Sequence, residues 1–245
     1  RLRARWGEYN LPVRVAKIPD AFFEPFYRDF PLKTLPVLPA DIVSVLSAGM
    51  VQASPVPAEA FLEVSDAFTP LPFCLSPRKG YAFVFGKGPS EEVELGLGRS
   101  AAGSVPYTHI VLRFSFGVKR LWLVPDARPG ETSYFLAEGE EAVRLSRELP
   151  VWFDVSVEWA RWSGRAPVFY VWAAVKTVGE EEVRELARAL ERSLAAFTAE
   201  PNSWRARRAG LEPQELLASV SYRLGREEEA GLRFLSQARS LISEG

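Results

Sequence analysis

The 245-residue chain holds one cysteine, one histidine and one methionine. A lone Cys74 excludes an internal disulfide and any thiolate-cluster metal site, and it suits a reducing compartment. A lone His109 leaves a Ser-His or Cys-His nucleophile system resting on a single side chain. No apolar stretch approaches the ~20 residues that a membrane helix needs. The opening residues, RLRARW, lack the apolar core of a signal peptide. Lys and Arg total 30 against 31 Asp and Glu, a net charge of −1. That balance gives no footing for general nucleic-acid binding or for a polybasic membrane surface. Metal-ligand spacing and a P-loop are both missing. Gly96 and Gly98 form a Gly-x-Gly, but the next glycine is Gly103 and no clear βαβ unit with a ribose-binding acid follows, so a dinucleotide site is excluded. The expectation is a soluble, cytoplasmic protein that needs no cofactor and no metal and meets neither nucleic acid nor membrane. Arg far outnumbers Lys and Asn occurs only at Asn10 and Asn202, a bias that a thermophile or a GC-rich genome would give.

What is present is an ordinary globular composition, 47% hydrophobic and 25% charged, enough for one large domain or two modest lobes. The most telling stretch is residues 154–175, DVSVEWARWSGRAPVFYVWAAV. It begins as a short polar-apolar segment, turns at Ser163-Gly164, and runs from Pro167 to Val175 without a charge. A run of that length, rich in aromatic and β-branched residues, predicts a buried strand, with Pro167 at its entrance because it has no N–H for a ladder. Other strands are predicted at 2–6 and 12–18 by alternation, at 81–85 between Gly80 and Gly86, at 93–98, and at 120–125. Helices are predicted at 21–30 (short), from Asp41 to a stop at Gly49, from about Tyr107, after Gly179, at 213–223, and at 227–242. The helix after Gly179 has three acids in its first turn, matching the macrodipole. Glu140 and Glu141, side by side, read as a solvated helix start rather than a paired acid and base. Small residues from Arg99 to Ser104, opening the helix near Tyr107, form a natural anion cradle of free N–H groups.

The form E-W-x-x-x-[ST]-G-x-P-x-x-[FY]-x-x-W at 158–172 resembles the chorismate dehydratases of the futalosine route to menaquinone. Further segments resemble that family in order: DIVSVLSAGMVQASPVPAEAFLEV, Thr108-His109-Ile110-Val111-Leu112, the run 132–142 with Gly139-Glu140 at its strand end, and Tyr222-Arg223-Leu224-Gly225-x-x-Glu228-x-x-Gly231-Leu232. The resemblance implies a two-lobed α/β fold like the type II periplasmic binding proteins. Residues 1–86 and 171–245 would form one lobe and 87–170 the other, with crossing strands at 81–85 and 169–173. It implies a carbon–oxygen lyase taking a small dicarboxylate substrate.

Residue by residue, Tyr9-Asn10-Leu11-Pro12 stands for the family's Tyr-x-Asn-x-x-Pro, one residue shorter on each side of the Asn. This would make Asn10 the catalytic, substrate-facing residue with Tyr9 beside it. Ser54 would sit in a βα loop at a strand's C-terminal end. Tyr81, or Gly80 in a shifted register, falls where the family has a substrate-bonding Ser. Ser104, Tyr107 and Thr108 would hold a substrate carboxylate, and Gly139 would close a strand at the cleft. With no strong side-chain base in sight, catalysis would work through positioning and dipoles, the substrate's own enolpyruvyl carboxylate serving as base. The missing Ser also admits a non-catalytic small-carboxylate binding protein of the same fold. The sister 1,4-dihydroxy-6-naphthoate synthase is disfavoured, because its Pro-Leu-Pro-Leu-Gly run is absent before Tyr170.

Overall fold

The computed structural model describes residues 13–243. Tyr9 and Asn10, and the strand expected at 2–6, lie outside the described residues. The described chain builds two sheets. The first holds β1 (Val15–Lys17), β2 (Thr34–Pro36), β3 (Ala53–Pro57), β4 (Phe68–Pro77), β10 (Tyr170–Val175) and β11 (Val220–Arg223), in the order β11-β4-β10-β3-β1-β2. The second holds β5 (Ala82–Phe85), β6 (Glu92–Leu97), β7 (Arg120–Val124), β8 (Tyr134–Glu138) and β9 (Val151–Asp154), in the order β7-β6-β8-β5-β9. The helices are α1 (Ile42–Ser47), α2 (Ala58–Glu63), α3 (Val105–Phe114), α4 (Gly139–Leu145), α5 (Val155–Ser163), α6 (Glu180–Ala199), α7 (Trp204–Arg208), α8 (Pro213–Ser219) and α9 (Arg226–Ser243). Among the described residues no helix is long and apolar enough to cross a membrane.

The run YVWAAV becomes β10, antiparallel to β3 on one side and β4 on the other. From Tyr170 to Ala174 it is fully buried, which is why it reads as an unbroken apolar run instead of an alternation. Each large apolar side chain buried here contributes about 1.5–3 kcal/mol. A seven-residue 3-10 helix, Ala21–Tyr27, drives Phe22, Phe23 and Phe26 into the same core. Phe23 meets the Tyr170 ring edge-on at 5.1 Å, and Phe22 meets Tyr81 at 4.8 Å.

The chain changes sheets over residues 78–81 and again between α5 and β10. Tyr81 stands at the edge of the first change. Ala82–Phe85, expected in the first lobe's share of the chain, pairs with β8 and β9 in the second sheet. Two local expectations are corrected, and the short polar-apolar segment before Gly164 takes a definite form. Residues 155–163 form helix α5, capped by Asp154 accepting from the backbone N–H groups of Ser156 and Val157, and stopped by Gly164 at φ 66°; Val155, Trp159 and Trp162 share its helical face. Residues 213–223 are not one helix: α8 ends at Ser219 and β11 follows, with Val220 and Tyr222 buried at the two-residue period of a strand. Ser54 to Pro57 lie inside β3, not in a loop after it. Pro55 and Pro57 are two apart, so both missing N–H groups face one side, and β1 pairs with β3 only at Val15–Ala53.

Candidate active site

At the start of α3 the backbone from Ala102 to Ser104 turns its N–H groups inward, and a carboxylate is seated on them. It is the chain's own. Glu138, the last residue of β8, is fully buried. Its Oε1 accepts from the N–H of Ala102 at 3.0 Å, the N–H of Ser104 at 2.6 Å and the Ser104 hydroxyl at 2.6 Å. Its Oε2 accepts from the Tyr170 hydroxyl at 2.8 Å and the Tyr81 hydroxyl at 3.3 Å. Burial pushes the Glu138 carboxyl above its ordinary value, while the Ser104, Tyr170 and Ala102 donors pull it back. Burial, reinforced by the neighbouring carboxylate, raises both tyrosine hydroxyls well above 10, so both remain donors near neutral pH.

Tyr170 belongs to the first sheet and the cradle to the second, so this carboxylate joins the two. The Tyr170 hydroxyl also accepts from the N–H of Gly103 at 3.2 Å. That approach requires glycine: a Cβ at residue 103 would lie 2.5 Å from the Tyr170 ring and 2.8 Å from the Phe169 carbonyl.

A second carboxyl meets the residues that follow Glu138. Asp20, at the end of the segment after β1, accepts from the Phe22 N–H at 2.9 Å and caps α4 by accepting from the Glu140 N–H at 2.9 Å. Glu140 answers by accepting from the Ala21 N–H at 2.7 Å, and it pairs with Arg205 at 2.5 Å. This reciprocal capping ties the first sheet's leading segment to the helix that follows β8. Gly139 makes room for it, at φ 62° with a Cβ position that would overlap the Asp20 carboxylate. Burial pushes the Asp20 carboxyl from 3.8 up to about 7, against the two backbone donors and Arg205, with Glu140 adding to the rise. Such a group exchanges a proton near neutral pH, as a general acid or base requires. Glu140 is therefore no solvated helix start.

A family model described as menaquinone biosynthesis matches residues 13–240. The chain belongs to that menaquinone-biosynthesis family. Among solved structures, the protein AF1704 of Archaeoglobus fulgidus superposes with a TM-score of 0.75 at 17% identity, covering 95% of this chain and 98% of that one. The CA3427 gene product of Candida albicans, described as having the generic periplasmic binding protein fold, gives 0.65 at 12% identity over 92% and 90%. The ligand-binding component of an ABC-type import system from Staphylococcus aureus gives 0.61 at 9% identity over 94% and 92%. At these identities the likeness shows the fold, a two-lobed α/β architecture of the periplasmic-binding-protein kind. No curated protein matches the sequence.

The residues singled out from the family resemblance are distributed unevenly. Ser104 and Tyr81 converge on the Glu138 carboxylate, and Gly139 adjoins them, its N–H donating to the Tyr81 carbonyl at 2.7 Å. Ser54 is buried with its hydroxyl donating to the Pro55 carbonyl at 2.9 Å. Tyr107 donates to the Val168 carbonyl at 2.6 Å and accepts from the Val168 N–H, fastening the second change of sheet. Thr108 bonds back to the Ser104 carbonyl at 2.9 Å, so it steadies the cradle's helix without entering the cradle. His109 is half-buried on α3, its pKa lowered by burial and then by Arg113. The family match begins at residue 13, beyond Tyr9 and Asn10. At the end of β1, Asp20-Ala21-Phe22-Phe23-Glu24-Pro25 has the length and closing proline of Tyr-x-Asn-x-x-Pro, with Asp20 in the Tyr place and Phe22 in the Asn place.

Sequence reasoning missed Asp20, Glu138 and Tyr170. Each had a signal: Asp20 follows Ile18-Pro19 at a strand end, Glu138 is the sole charge closing YFLAE before a glycine, and Tyr170 is the hydroxyl nearest the crossing. Among the described residues no group of acidic, His or Cys side chains is arranged to hold a metal.

Proposed function

We propose that this family member is a carbon–oxygen lyase of menaquinone biosynthesis that dehydrates chorismate to 3-[(1-carboxyvinyl)oxy]benzoate. The reaction site is the junction between the lobe built on the first sheet, β1 to β4 with β10 and β11, and the lobe built on the second, β5 to β9, in the cytoplasm. The observation that carries the reading is the carboxylate receptor at the start of α3, built from the N–H groups of Ala102 and Ser104 and the Ser104 hydroxyl. In this reading it holds a substrate carboxylate. One ring C–H bond and the neighbouring C–O bond break, the hydroxyl leaves as water, and the electrons left behind complete a benzene ring. The substrate's enolpyruvyl carboxylate takes the ring proton. Asp20, with a pKa of about 7, is the group at this junction suited to give a proton to the departing hydroxyl. Asn10 would orient the ring.

The test is incubation of the purified protein with chorismate and no added metal or nucleotide. The expected result is an aromatic product of the mass of chorismate less one water. Chorismate left untouched after prolonged incubation overturns the reading.

One observation favours a second reading, a non-catalytic carboxylate-binding protein of the same fold. Tyr81 stands where the family's Ser is expected, with its hydroxyl committed to Glu138. Thermal stabilisation by chorismate with no product formed would select this reading.

A further inference from the structure

The Glu138 carboxylate is held as a bound ligand would be. Five donors meet it, from three separate segments: Ala102 and Ser104 in the loop before α3, Tyr81 between β4 and β5, and Tyr170 in β10. Two of those donors are backbone N–H groups that no helix or strand bond uses, and the other three are hydroxyls. If the Glu138 side chain left, the two N–H groups and the Ser104 hydroxyl would stand unpaired, a state that costs about 1–3 kcal/mol per buried group. A carboxylate that enters as Glu138 departs recovers those bonds.

The placement of Tyr170 decides when departure is easy. Its hydroxyl bridges Gly103 and Glu138 from the opposite sheet. Separation of the sheets withdraws that donor and leaves Glu138 held by the loop and Tyr81. Buried carboxylates are tolerated only while their donors stay in place. Opening the junction thus loosens the internal carboxylate at the moment an external one gains entry.

We propose that Glu138 is a tethered stand-in for the ligand's carboxylate: it closes the two sheets on themselves when the site is empty, and a small carboxylate must displace it to bind. This rests on the reading that the junction is the ligand site. Affinity for any carboxylate is then reduced by the fraction of molecules in which Glu138 is unseated.

The experiment replaces the side chain and supplies the carboxylate separately. Glu138→Ala leaves a cavity lined by the same donors, and sodium acetate and formate are the probes, against sodium chloride at equal ionic strength and pH. Acetate is expected to raise the Tm of Glu138→Ala by about 5 °C or more near saturation, and that of the wild type by less than about 1 °C. Adding Ser104→Ala to Glu138→Ala should remove the response. A folded Glu138→Ala protein that responds to acetate and formate no more than the wild type overturns the proposal. Should Glu138→Ala fail to fold, the near-isosteric Glu138→Gln decides. Its amide places an N–H₂ group or a weaker acceptor against donors built for an anion, so benzoate should bind at least ~10-fold tighter than to the wild type. Equal benzoate affinity sinks the idea. These outcomes are separable from the dehydratase reading: acetate rescue without chorismate turnover keeps the tethered carboxylate and removes the reaction, and turnover without rescue does the reverse.

Discussion

Asp20 offers the sharpest quantitative prediction. Its carboxyl rises from 3.8 to about 7 because burial outweighs its two backbone donors. A raised folded-state pKa on an acid means that the folded protein holds the proton more tightly than the unfolded chain between those two values. This group's contribution to stability is therefore greatest below pH ~4, falls as the pH climbs from ~4 to ~7, and is level above that. The gap corresponds to at most about 4 kcal/mol, and partial solvent access brings the expectation to about 2–4 kcal/mol. Asp20→Asn removes the titration and keeps one acceptor for the Phe22 or Glu140 N–H. Urea unfolding of both proteins at intervals from pH 4.5 to 8.5 isolates the effect in the difference between them. Glu138 and Asp154, both also raised by burial, contribute to both curves and cancel. The variant should gain on the wild type as the pH rises, by about 2–4 kcal/mol over the whole range. A difference that stays flat, or runs the other way, would refute the argument that burial governs this carboxyl.

Other outcomes follow from the same geometry. Gly103→Ala should cost about 2–4 kcal/mol in urea unfolding, because the Cβ meets the Tyr170 ring and the Phe169 backbone, neither free to retreat; a loss under about 0.5 kcal/mol would show the junction to be loose. Cys74 is fully buried, and burial pushes its thiol up, with Glu228 adding to the rise, so a thiol reagent should label it only on unfolding; rapid labelling of the native protein contradicts the packing. His109→Ala should lower chorismate turnover by less than about threefold, since the substrate supplies the base; abolished turnover would remove the substrate-assisted step while leaving the fold intact.

The fold was legible where the pattern was long or had one meaning. The unbroken YVWAAV run, the α6 face and the family's ordered segments led to a two-lobed α/β protein of the periplasmic-binding-protein kind. Prolines hid other elements: Pro70, Pro72 and Pro77 mask β4, a ten-residue strand in the sheet interior, and Pro55 with Pro57 made β3 resemble a loop. Val155, Val157 and Trp159 alternate as a strand would, but an N-cap at Asp154 and a left-handed Gly164 make them a helix. The site was half legible. The small-residue loop before α3 signalled an anion cradle, and Ser104 belongs to it. Its occupant could not be read, because Glu138 lies 34 residues away and only the β6–β8 pairing brings them together. Asp20 and Glu140, 120 residues apart, follow strands of different sheets and meet only where the two sheets' segments pack, which no local pattern records.

When a ligand is present, its carboxylate and that of Glu138 compete for one cradle. A crystal structure of the protein with 3-[(1-carboxyvinyl)oxy]benzoate bound tests this most directly. One ligand carboxylate should lie within hydrogen-bond distance of the Ala102 and Ser104 N–H groups and the Ser104 hydroxyl, with the Glu138 side chain turned away from them. A ligand seated elsewhere, for instance in the open groove of about 520 Å³ bordered by Arg144, Arg147, Arg205 and Arg208, with Glu138 still on its five donors, would contradict it.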